Sequence, residues 1–392
     1  QSRVVPSSRG LHTGVQVLAG LALNVFPAIF IAIYARIAPI DTQGFLALAL
    51  AIGVYVAQLF NAFIVEGRLA TPDAHGELGL PLWVAVLAIV CATPLLVGPA
   101  VASSPVLMIA SIGVMTGLLM SRSLGVVTGE WKREGFAAAA LILASVAALW
   151  LAELDNPHSV RVLAVGALLA VVSRYRPGKA LPDMGFPPDV RRSGWVTAET
   201  AVVGAVQPAV TSVVLVMVGP VASVTFRVIS TVAGALEPIL AYGRYRLLAH
   251  GHRGEILSFV AVFTVGAVAV LAAALGGFGS LVFGPAWAQV GVVALLLAFV
   301  WKCVMLISTV PFAALRKEGR TVLVFWIRGA STVIYLLISI GLLVAWQSTV
   351  VIFLAFVIAE AITAVIYHYA AVRYAPDYAA AFGLHRLRDR LR

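Results

Sequence analysis

Long apolar runs, each bounded by charges, glycines or prolines, follow one another along the whole chain. An α-helix rises 1.5 Å per residue, so about 20 apolar residues cross the hydrocarbon of a bilayer. Twelve runs meet that description, near residues 12–36, 44–65, 80–101, 105–127, 136–152, 158–173, 195–217, 221–242, 257–282, 286–314, 321–346 and 349–372. The fifth and sixth are the shortest. None alternates with the period of a strand, so the pattern predicts helices throughout.

The runs carry an internal echo. The stretch NVFPAIFIAIYARIAPIDTQGF, Asn24 to Phe45, meets a second stretch 181 positions on (208 − 27 = 181). Pro27-Ala28 falls on Pro208-Ala209, Pro39 on Pro220 and Phe45 on Phe226, with no gap. A second anchor lies at 184 (316 − 132 = 184), where Lys132-Arg133-Glu134-Gly135 and Arg316-Lys317-Glu318-Gly319 are expected to lead into the fifth and eleventh helices. Two tandem units of six helices follow, related by an axis along the membrane normal. Substrate sites in such proteins lie between the repeats. The units divide as an N-lobe over 1–172, a linker over 173–194, a C-lobe over 195–372 and a basic tail over 373–392. The linker, SRYRPGKALPDMGFPPDVRRSG, is rich in Pro, Gly and charge, as a connection should be.

Composition agrees: 61% of the 392 residues are hydrophobic and 11% charged, and the mean hydropathy is +1.01, far from a soluble domain. The formal charge of +10 does not indicate nucleic acid, because the basic residues are scattered through short loops. Their distribution sets topology instead: 22 of the 27 Lys and Arg fall in the loops of one side, with Arg36 and Arg161 on the other. Basic loops stay inside, so both termini are expected in the cytoplasm. The tail, ending LHRLRDRLR, can rest on anionic headgroups as a short amphipathic helix or stand as a solvated topology signal. A chain opening on Gln1 in place of an initiator methionine is expected to be a portion of a longer product.

Catalysis finds little support. Cys91 and Cys303 lie far apart in apolar runs and suggest neither disulfide nor metal site. There is no Walker A loop, no GxSxG elbow and no His/Cys cluster at metal spacing. His250 and His252 form a weak HxH in a basic loop, and Glu153-Leu154-Asp155 sits in a loop too short to build an acceptor site. No catalytic residue, metal or cofactor is assigned.

Transport is the default, and the informative residues are the charges inside the runs, each costing roughly 2.5–3.5 kcal/mol at bilayer depth. Four cations stand out: Arg36, Arg227, Lys302 and Arg328. Their repeat partners Met217, Leu46 and, for Arg328, Ala144 are apolar, so charge was added asymmetrically to a symmetric frame. Cations converging on a cavity suit an anion such as a phosphate or pyrophosphate, whereas snorkelling to an interface would leave them structural. Glu199, Glu237 and Glu360 are the matching acids; Glu360, the deepest, either pairs with a cation or carries a coupling proton. Asn24, Gln58, Asn61 and Gln207 line the cavity or join helices. Pro27, Pro208, Pro238 and Pro311 are expected to interrupt helices one, seven, eight and ten.

Three stretches resemble a known family. YARIAPIDTQGFLALALAI (Tyr34 to Ile52), LVFGPAWAQVGVVALLLAF (Leu281 to Phe299) and VPFAALRKEGR (Val310 to Arg320) are similar to the first hairpin, the approach to helix ten and the entry to helix eleven of Wzx-like polysaccharide flippases. These belong to the multidrug/oligosaccharidyl-lipid/polysaccharide (MOP) exporter superfamily. The resemblance implies two six-helix lobes in a V around a central cavity, and export of a polyprenyl-pyrophosphate-linked oligosaccharide by alternating access. Implied partners are the lipid-linked glycan, membrane lipids and glycan polymerases or glycosyltransferases, not nucleic acid. A drug or cation exporter of the same superfamily, and a scaffold recruiting glycan-assembly enzymes, are the alternatives.

Overall fold

The computed structural model describes residues 7–66, 80–128, 130–176, 189–240, 253–318 and 320–384. The described residues are helical from end to end, with a helix over each apolar run. In chain order these are α1 (Ser7–Ile37), α2 (Ile40–Asn61, ending in a wide turn over Ala62–Glu66), α3 (Leu82–Val97), α4 (Ser104–Thr128), α5 (Trp131–Glu153) and α6 (Ser159–Val172). Then come α7 (Val190–Gly204, resuming as Val206–Met217), α8 (Pro220–Gly234), α9 (Arg253–Ala273, prolonged by Ala274–Phe278 and Gly279–Phe283), α10 (Val292–Lys317), α11 (Thr321–Trp346) and α12 (Thr349–Tyr374). A short α13 (Pro376–Ala381) follows. Among the described residues, nine helices are long and apolar enough to cross a membrane, and α3, α6 and α8 are shorter apolar helices. Exposed apolar side chains, among them Val97, Val216, Val265 and Leu281, run along the outer faces of the helices. An apolar surface on this scale needs lipid around it, and the chain is a multi-pass membrane protein.

Two of the four prolines interrupt their helices. The ring of a helical proline leaves the carbonyl four residues earlier without its N–H. For Pro208 and Pro238 that residue is a glycine, Gly204 and Gly234, and there the helix breaks. For Pro27 and Pro311 it is Leu23 and Ile307, and α1 and α10 run through. The expectation of four interruptions is therefore corrected to two, because the proline needs a residue of low helix propensity at the strained carbonyl.

Small residues let helices approach where lipid supplies no hydrophobic drive. A Cβ on Gly53 of α2 would stand 2.7 Å from the Ser111 backbone of α4, and one on Gly166 of α6 would stand 2.1 Å from Ala144 of α5. One buried cluster joins α1–α6 and takes in Val224, Val228, Phe283 and Ala286, while a second is built from α7–α12.

The first repeat anchor lands consistently: Pro39 immediately precedes α2 and Pro220 opens α8 after Gly219, whose φ of 109° makes the turn. The second does not. Lys132 to Gly135 form the first turns of α5, but Arg316 and Lys317 close α10. By helix starts α5 and α11 are 190 apart (321 − 131 = 190), so the interval has grown past the connection between α9 and α10. At that spacing Arg328 answers to Ala138, again an apolar residue. Arg3, Arg68, Lys179, Arg244, Arg246, His250, His252 and the tail from 385 lie outside the described residues.

Candidate functional site

A cavity of about 600 Å³ opens among α1, α2, α7, α8, α10, α11 and α12. The break in α7 puts Gly204 and Gln207 on its wall, and Tyr55 of α2 closes over the break by donating its hydroxyl to the Ala201 carbonyl at 3.2 Å. Three of the four predicted cations, Arg227, Lys302 and Arg328, line this cavity, with Asn24, Gln58 and Gln207 beside them. Glu237 and Glu360 also line it, and Glu199 reaches Arg328 from α7.

Each of these charges has distinct surroundings. Lys302 forms an ion pair with Glu237, and its ammonium lies 3.9 Å from the Trp301 ring centre. Arg328 and Arg316 both donate to Oε1 of Glu199 at 2.7 Å, and both guanidinium groups lie over the Phe312 ring, at 4.6 and 5.0 Å. Arg227 stands apart: among the described residues no carboxylate pairs with it, and its Nε is buried without a hydrogen-bond partner.

Among the described residues no cation lies in ion-pair contact with Glu360, and Lys302 acts on it only through space. Tyr335 donates its hydroxyl to Oε2, and Ser308 lies 2.5 Å from Oε1. Trp301 Nε1 in turn donates to the Tyr335 hydroxyl at 2.9 Å, so a chain of neutral donors holds the carboxylate. Phe356 packs at 4.8 Å from Trp301 and 5.6 Å from Tyr335, completing an aromatic wall.

Arg36 and Asn61 are not among the lining residues. Arg36 donates through Nε to Glu153 at 2.5 Å and through its terminal nitrogens to the Ala32, Val282 and Leu281 carbonyls at 2.8–3.3 Å. That ties α1 to α5 and to the end of α9. Asn61 donates to Glu66 at 3.1 Å, within the last turns of α2.

Sequence reasoning passed over Trp301, Tyr335, Ser308, Tyr55 and the Arg316 contribution. The one signal present was numerical: the second half holds three cations and three acids inside its apolar runs, without showing which would meet. A helical membrane protein enclosing a polar cavity is the class so defined.

No protein-family model matches the chain, and no curated protein matches it. Among solved structures, it is similar to the outward-facing conformation of a multidrug resistance MATE family transporter of the MOP superfamily, at 11% identity over 96% of both chains with a TM-score of 0.50. It is also similar to a MATE protein in complex with MaL6, at 14% identity over 96% of this chain and 94% of that one, TM-score 0.44. A third is a MOP superfamily transporter from Pyrococcus furiosus, at 15% identity over 92% of both, TM-score 0.41. The first likeness shows that the chain has a MATE-type fold.

Proposed function

We propose that the chain is a flippase carrying a polyprenyl-pyrophosphate-linked oligosaccharide from the inner to the outer leaflet, by alternating access between two six-helix lobes with both termini cytoplasmic. The observation that carries the reading is Arg227, a cation on the cavity wall with which no carboxylate among the described residues pairs. A guanidinium without a partner in low dielectric favours an anion from outside, and a pyrophosphate presents the oxygens it grips best. The cavity's other polar groups, Asn24, Tyr55, Gln58 and Gln207, suit the hydroxyls of sugars. The lipid tail stays in the bilayer between helices. The chain does no chemistry on its load and uses no cofactor.

Export of a drug-like organic cation is the second reading, and a specific observation favours it. Glu360, walled by Trp301, Tyr335 and Phe356, offers a carboxylate inside an aromatic box, which suits a delocalised cation. A non-transporting scaffold recruiting glycan-assembly enzymes is the reading left if neither load moves.

Reconstituted vesicles separate the three. Under the flippase reading the wild type moves a fluorescent lipid-linked sugar, and Arg227→Glu with Lys302→Glu abolishes movement while Glu360→Gln leaves part of it. Loss of ethidium efflux in Glu360→Gln, with lipid-linked sugar unmoved by the wild type, would replace it by the second. Survival of sugar translocation in the doubly reversed variant overturns the role given to the cations.

A further inference from the structure

We infer that residues 281–289, which join α9 to α10, form a strap across the two halves of the bundle and that Arg36 is its buckle, setting how readily the cavity opens at the end remote from Ser7 and Tyr374. The inference rests on alternating access, which both transport readings share, and not on the load.

The connection belongs to the second half by sequence but not by packing. Phe283 and Ala286 are buried in the core of α1–α6, and Trp287 and Val290 border both cores. Local structure makes the crossing compact. Phe283 and Trp287 stack with ring centres 6.0 Å apart, and Gly279 leaves room for the Trp287 ring, which a Cβ there would meet at 2.4 Å. The tight turn Gly284–Gln289 closes as the Val290 N–H donates to the Trp287 carbonyl at 2.9 Å.

Arg36 fastens this segment to α1. Its side chain is 5% exposed, and its terminal nitrogens donate to the Leu281 and Val282 carbonyls at 3.3 Å. Those carbonyls lie in the short helix Gly279–Phe283, at the end where carbonyls lack helical donors and a cation is favoured. Gly284, at φ 52°, permits the approach, since a Cβ there would stand 2.8 Å from the guanidinium carbon. Glu153 and the Ala32 carbonyl hold the arginine from its own side.

The strap is taut on one flank and slack on the other. Only Val290 and Gly291 separate it from α10, whose Leu295 and Ala298 are buried in the second core. Separating α1 from α10 at this end therefore pulls on the Arg36 contacts. α9, by contrast, is the least buried of the nine apolar helices long enough to span, and Gly277, at φ 107°, interrupts its prolongation. The strap can thus leave Arg36 without unfolding α9.

Thiol accessibility in vesicles tests this with no load present. The full chain carries Cys91→Ala, Cys303→Ala and Val54→Cys, the last on the cavity wall. A charged, membrane-impermeant methanethiosulfonate labels it in right-side-out and in inverted vesicles. Arg36→Ala is expected to speed labelling about tenfold from the face that carries the strap, equivalent to about 1.4 kcal/mol in the opening equilibrium, and to slow it from the other. Gly284→Ala should do the same with Arg36 still present, because the new Cβ evicts the guanidinium. Glu153→Gln, which keeps the carbonyl contacts, should change either rate less than about threefold. Unchanged labelling in both Arg36→Ala and Gly284→Ala overturns the inference. So does faster labelling from both faces, which reports a loosened fold. If the rates shift as expected while wild-type vesicles move no lipid-linked sugar, the strap stands and the flippase reading alone falls.

Discussion

Replacing Arg227 by leucine should weaken binding and strengthen the fold at once. The guanidinium lines the cavity, no carboxylate among the described residues neutralises it, and its Nε makes no hydrogen bond. A charge-assisted hydrogen bond from such a group to a phosphate contributes about 1.5–3 kcal/mol. Losing one weakens affinity roughly ten- to hundredfold, at about 1.4 kcal/mol per factor of ten. The empty protein gains instead. An uncompensated cation in a membrane span costs about 2.5–3.5 kcal/mol, part of which leucine relieves. The variant should therefore melt higher in detergent, by the equivalent of about 1–3 kcal/mol after allowing for imperfect packing of the new side chain. Titration with a prenyl pyrophosphate and thermal melting of the same preparation read both arms. A variant that binds the anion as the wild type does, or melts lower, refutes the reasoning, because the first denies Arg227 a ligand and the second gives it a structural partner.

Other expectations concern the frame. Glu134, fully buried, accepts two hydrogen bonds from Arg174 at 2.6 and 2.8 Å; Glu134→Gln should cost about 3–5 kcal/mol in denaturant unfolding, most of it recovered with Arg174→Met. A Cβ on Gly44 of α2 would stand 2.8 Å from the Pro220 backbone of α8, so Gly44→Ala should cost about 1–3 kcal/mol, read in the same melts. Arg36→Ala should destabilise by about 2 kcal/mol through its lost carbonyl contacts, whereas Glu153→Gln, at a 60% exposed carboxylate, should cost under about 1 kcal/mol.

Helices were legible in the sequence because a bilayer demands long apolar runs, and every run carries a helix. The prolines were half legible: the breaks at Gly204 and Gly234 follow the pairing of proline with a glycine four residues earlier, visible only once both residues are weighed together. The tetrad at 184 misled, because two basic-acidic-glycine sequences can serve opposite ends of a helix, opening α5 and closing α10. Deep charge marked the cavity wall at Arg227, Lys302 and Arg328, but pairing did not show, since Glu199 and Arg328 are 129 residues apart and meet only by packing. Arg36 read like the others in sequence, and its contacts with the end of α9 appear only in three dimensions.

The distribution of paired and unpaired charge bears on how such a cavity can rest empty. Three bare cations at bilayer depth would together cost a large part of a typical folding free energy. Glu237 and Glu199 neutralise two of them, and Glu360 is held by hydroxyl groups instead. Among the described residues the cavity cation left without a paired carboxylate is Arg227, on the short helix between two proline-linked breaks, in α7 and at the end of α8. An anion that relieves this charge gains most in whichever arrangement brings the lysine and arginine to bear on it together. Under the flippase reading, binding energy would then be released at the part of the fold best able to bend.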